Sequence, residues 1–169
     1  MIHLDLRTVI VMSGVLALLM SVVLLLLRLT HPKSIQGLGF WAAAPALALV
    51  AALLAAGRGL IHDLLSIVAA NMLMLAVFLS FYWGARRLLG FKAVYKTWLG
   101  VALATLIFLL WFGWIEPSYT ARILLMTALS FSLALQMMAL IWRHGKRSFP
   151  SRFTVLVLAI HAGVMGTGY

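Results

Sequence analysis

The chain has 169 residues, 65% of them hydrophobic and 9% charged, with a mean hydropathy of +1.13. Soluble domains carry about 25% charged residues, so a soluble core is excluded and the chain reads as an integral membrane protein. It contains no cysteine, which excludes disulfides, thiolate metal sites, iron–sulfur clusters and cysteine nucleophiles, while the formal net charge of +10 is the signature of basic loops on a cytoplasmic membrane face.

A spanning helix needs roughly 20 apolar residues, and in lipid every backbone polar group must pair within a helix or a closed barrel. The apolar runs show no period-two alternation, so helices are expected, in an all-α membrane bundle of about six spans forming one domain over 1–169. The first helix is expected over 6–29, retained rather than cleaved, because Asp5 and Arg7 precede it and no small-residue cleavage site follows. It stops at Thr30-His31-Pro32-Lys33. The second runs over 39–56, with Pro45 near its first turn or at a kink, and breaks at Gly57-Arg58-Gly59. The third runs over 63–83, with Asp63 as N-cap. The fourth runs over 95–114 and ends at Glu116-Pro117-Ser118; the fifth spans 118–142 and the sixth 151–169.

The charges orient the bundle. Arg28 and Lys33 follow helix one; Arg86, Arg87, Lys92 and Lys96 follow helix three; Arg143, Lys146, Arg147 and Arg152 follow helix five. All three acids, Asp5, Asp63 and Glu116, fall on the opposite side with Arg7, Arg58 and Arg122. The positive-inside rule then puts loops one, three and five in the cytoplasm and the N-terminus outside. Trp41, Trp83, Trp98, Trp111, Trp114 and Trp142 fall at or near expected helix ends, where interface anchors belong. No basic stretch interleaves with exposed aromatics, so the bilayer is the expected partner and nucleic acid is not.

Polar groups inside lipid are costly and point to function or to interhelical bonding. Asn71 falls about 12 Å into helix three and His161 at a similar depth in helix six, while Gln136 lies in helix five. The other histidines, His3, His31, His62 and His144, fall near the faces, so no metal or other cofactor is expected. Arg58, Asp63, Glu116, Tyr119 and Arg122 gather on the outer rim. Two readings follow: an ion-pair latch between helix hairpins, or a polar mouth over a cavity that takes the head of an amphipathic ligand. There is no HExxH, no phosphate-binding glycine loop and no Ser–His–Asp set at one depth, so no catalysis is expected of the chain itself. Gly163, Gly166 and Gly168 read as close helix packing or a kink.

Four motifs in order carry a family likeness: His3-Leu4-Asp5-Leu6-Arg7-Thr8; Ser34-Ile35-Gln36-Gly37-Leu38-Gly39 with Trp41; Asp63-Leu64-Leu65-Ser66-Ile67-Val68-Ala69-Ala70-Asn71; and Glu116-Pro117-Ser118-Tyr119 with Arg122. Together they resemble the N-terminal membrane region of bacterial GGDEF proteins, the membrane-bound diguanylate cyclases. The resemblance implies a sensory input module in the bacterial inner membrane. In such proteins a further helix leads to a cytoplasmic GGDEF domain that makes cyclic di-GMP from two GTP as a homodimer. The sequence departs from the pattern by stopping at Tyr169, before that helix and any GGDEF motif. A small transporter or channel, and a membrane scaffold, are the rival readings.

The absence of native cysteine makes orientation directly measurable. In spheroplasts, Leu60→Cys is expected to react with an impermeant maleimide, and Lys92→Cys only after permeabilisation; the opposite pattern would invert the assignment.

Overall fold

A computed structural model describes residues 6–30, 37–92 and 94–144. They form five helices: α1 (Leu6–Thr30), α2 (Leu38–Ala56), α3 (Leu64–Leu88), α4 (Tyr95–Ile115) and α5 (Tyr119–His144). No strand occurs among the described residues. Four of these helices, α2 to α5, are long and apolar enough to cross a membrane, and α1 adds the apolar stretch Gly14–Thr30. The sixth expected helix, 151–169, lies outside the described residues.

Local chemistry sets the helix ends. Gly37 takes a left-handed φ of 104° just ahead of α2, a conformation open to glycine at little cost. Leaving α3, Gly90 N–H donates to Arg87 O and Phe91 N–H to Arg86 O, with Gly90 at φ 82°. This is the Schellman closure, which satisfies carbonyls the helix would otherwise orphan. At the start of α5 the Ser118 hydroxyl oxygen accepts the Ala121 N–H at 3.3 Å, as an N-cap should.

Asp63 does not cap α3. It is exposed, helical in its own dihedrals and makes no side-chain cap bond. His62 Nδ1 accepts the Leu64 N–H at 3.2 Å instead. A residue already in helical conformation cannot swing its carboxylate back over the first turn, because a capping residue needs non-helical dihedrals. The first turn of α3, Leu64–Ala69, is π-helical, and so is the last turn of α4, Trp111–Ile115. Pro45 sits well inside α2 rather than in its first turn, and it is buried.

Consecutive helices run up and down. α2 packs chiefly on α1 and α3, and α3 also touches α4 and α5. α3 is the most buried span. Its Leu75, Leu79 and Tyr82 form the apolar core with Trp98 of α4 and Leu133 of α5. The closest approach joins the start of α2 to the end of α3. The Trp41 indole N–H donates to Phe81 O at 3.2 Å, and the same edge of the ring abuts Gly84, where any Cβ would collide with it. On the other side of α2, the Ser21 hydroxyl of α1 donates to Ala42 O at 2.8 Å.

Half of the tryptophans serve packing rather than anchoring. Trp98 is 8% exposed and belongs to the core. Trp83 stacks edge-on against Phe40 and Tyr95, with ring centroids 6.0 and 4.9 Å apart. Trp41 is held as described above. Trp111, Trp114 and Trp142 stay exposed, as interface anchors do. Position near a helix end is shared by all six; what separates them is whether a neighbouring helix closes over that end.

Gly84→Ala would push a methyl into the Trp41 indole, and is expected to cost about 1–3 kcal/mol, read as a lower thermal midpoint in detergent. Gly100→Ala, whose added methyl meets nothing, is expected to be neutral or to gain up to about 1 kcal/mol.

Candidate functional site

At the end of the bundle opposite the Trp41–Gly84 contact, the faces of three helices converge on a cavity of about 310 Å³. Each face follows helical spacing. α2 gives Ala51, Ala52 and Ala55; α3 gives Ser66, Ile67, Ala70, Asn71 and Met74; α5 gives Tyr119, Arg122, Ile123, Met126 and Thr127; Arg58 comes from the turn after α2. The space exists because the facing residues are small. Three alanines on α2 oppose Ala70 and Ser66 on α3, and none fills the gap that α5 leaves. The volume is at the lower end of the range for small-molecule sites.

The walls grade from polar to apolar. Arg58, Tyr119, Arg122 and Ser66 lie toward the helix ends, Asn71 lies midway, and Met74 and Met126 lie deeper, beside the one polar group at that depth, Thr127. From Tyr119 to Thr127 the α5 face runs about 12 Å along the helix axis. The Arg58 guanidinium sits over the Tyr119 ring at 5.9 Å, a cation–π contact that holds it at the mouth. Arg122 is 9% exposed. Neither guanidinium has a carboxylate within 4.0 Å among the described residues, and no acidic residue lines the cavity. Ser66 Oγ is buried and has no hydrogen-bond partner.

The rim residues therefore do not form the ion-pair network expected from sequence. Glu116 leaves the π-helical turn of α4 in an extended conformation (φ −131°, ψ 78°) and is exposed, away from Arg122. Asp63 is exposed and feels Arg122 only at longer range. Of the residues singled out in the sequence, the fold gathers Arg58, Asn71, Tyr119 and Arg122 into one cavity and leaves Asp63 and Glu116 outside it.

Asn71 and Gln136 bond within their own helices rather than across the bundle. Asn71 Nδ2 donates to Ile67 O at 2.7 Å, anchoring its amide to the π-helical turn. Gln136 Nε2 donates to Ser132 Oγ at 3.3 Å on an exposed face of α5, remote from the cavity. Both find partners one turn back because a long amide reaches the i−4 position without cost to packing. His161 lies outside the described residues. Among the described residues no cluster of His, Asp or Glu could hold a metal ion.

Sequence reasoning missed Ser66, Met74, Met126, Thr127 and the alanine face of α2. Ser66 was legible as a polar residue in the apolar run that also holds Asn71. The alanines were not, since their contribution is the bulk they lack.

The chain matches no protein-family model, no curated protein and no solved structure. The geometry stands without a relative to interpret it.

Removing either unpaired polar group should relieve the ligand-free protein. Ser66→Ala is expected to be neutral or stabilising by about 1 kcal/mol. Arg122→Met is expected to raise the thermal midpoint, since a buried charge without a partner is replaced by an apolar chain of similar length.

Proposed function

We propose that the chain is the membrane-embedded input domain of a bacterial GGDEF-type diguanylate cyclase. It sits in the inner membrane with about six spans, a seventh following, and loops one, three and five in the cytoplasm. A small apolar or amphipathic ligand, entering from the outer side, controls cyclic di-GMP synthesis by a C-terminal domain, in a homodimer. The observation that carries the ligand-responsive part is the cavity: Arg58, Asn71, Tyr119 and Arg122 share a space walled by α2, α3 and α5. A molecule there touches three helices at once, so its binding biases how they pack. Differential contact of that kind is what a ligand needs to shift a conformational equilibrium. The order and content of the four sequence motifs support the cyclase part.

A channel or transporter is disfavoured by the packing. Leu75, Leu79, Tyr82, Trp98 and Leu133 fill the bundle beyond the cavity, which leaves no polar path through the described residues. The scaffold reading has no specific observation in its favour.

The untagged product of the whole reading frame is expected to be several hundred residues long and to contain a GGDEF domain; a native product of 169 residues would overturn the cyclase part. In the full-length protein, Asn71→Leu is expected to leave folding intact and change cyclic di-GMP output from GTP in isolated membranes. Unchanged output would reduce Asn71 to a packing residue.

A further inference from the structure

We infer that the cavity selects an anionic amphiphile: a carboxylate or phosphate head held by Arg122 and Arg58, with a short apolar tail laid toward Met74 and Met126. This deepens the ligand-site reading above and rests on it.

Charge carries the argument. The lining holds two arginines and no acid. Arginine cannot shed its proton in a protein, so neither charge can be neutralised by titration. Arg122 is more than nine-tenths buried, and no carboxylate of the described residues pairs with it. A buried cation without a partner is unfavourable until something negative arrives. Arg122 also stands in the first turns of α5, a helix of 26 residues, whose N-terminal end carries positive partial charge. The Ser66 hydroxyl, buried and without a partner, is a further donor in the facing wall. Guanidinium forks match carboxylate and phosphate oxygens with paired, charge-assisted hydrogen bonds. A cationic head would meet two like charges, and a neutral alcohol would leave both unpaired.

The apolar half is set by the deeper walls. Ala51, Ala70, Ile123, Met74 and Met126 offer hydrocarbon and thioether surface. Methionine adapts to chains of irregular shape. The volume suits one short chain and not a two-chain lipid in full.

The test uses the 169-residue chain in a maltoside detergent, with thermal midpoint and tryptophan emission as readouts. Decanoate and decyl phosphate are expected to raise the midpoint saturably. Decanol, decyltrimethylammonium and inorganic phosphate alone are expected to do so far less. Arg122→Gln should weaken decanoate binding about tenfold or more. Arg58→Gln, at an exposed position that tolerates change, should weaken it by a smaller factor and keeps the test alive should the Arg122 variant misfold. Equal binding of decanol or decyltrimethylammonium would overturn selection for an anion while leaving a ligand cavity in place. An equal effect of inorganic phosphate would overturn the amphiphile. No shift with any probe would overturn both the selectivity and the ligand site. In nanodiscs, decanoate binding that persists in phosphatidylglycerol assigns the site to a free amphiphile. Its loss there, but not in phosphatidylcholine, assigns the same oxyanion chemistry to a bilayer lipid.

Discussion

The close approach of α2 to α3 governs the rest of the bundle. It depends on a residue without a side chain, Gly84, meeting the Cδ1–Nε1 edge of Trp41, whose indole N–H is satisfied by Phe81 O. Membrane helices gain little from hydrophobicity on association, because lipid is as apolar as their own side chains. They gain from tight packing and from satisfied polar groups. This contact supplies both in one place. It pins the two helices at the aromatic end, where Tyr82, Trp83, Tyr95 and Trp98 stack edge to face around it. Arg86 adds its guanidinium over Tyr82 and Phe91 and donates from Nε to Lys92 O.

With one end pinned, the opposite end is free to be open. There the facing residues of α2 and α3 include four alanines and a serine, and the helices enclose space instead of filling it. The bundle thus divides by function along its length: a packed half that defines geometry, and a hollow half that presents charge. Arg122, buried and with no acidic partner among the described residues, is a poor structural choice, since unpaired buried charge destabilises. Its place in the wall of a cavity is what the proposed ligand reading accounts for.

Much of this was legible in the sequence, and the failures have physical causes. The helices announced themselves through long apolar runs ended by proline and glycine, and α2 to α5 fall within a few residues of the expected bounds. Up-and-down connection alone brought Arg58, Tyr119 and Arg122 to one end. What one-dimensional reading lacked was side-chain direction. Asp63 and Glu116 share that end in sequence yet turn outward, so proximity of charges along the chain did not become ion pairs. Trp98 sits near a helix end in sequence yet lies under α5 in the fold. Asn71 and Gln136 were read as functional groups or as links between helices, and both bond within their own. The cavity itself is a property of missing volume on α2, and alanine carries no signal that distinguishes a hollow from a tight seam.

The π-helical first turn of α3 has a consequence for how this chain is compared with others. A turn closed by i→i+5 bonds is wider than an α-helical turn, so the rotation per residue changes where Leu64–Ala69 hands over to the α-helix at Ala70. Ser66 and Asn71 stand on either side of that handover, and both line the cavity. An alignment that threads this segment through without a gap would set cavity residues of one protein against lipid-facing residues of the other. The informative comparison with a helix that is α-helical throughout is one that admits a single-residue offset within that turn.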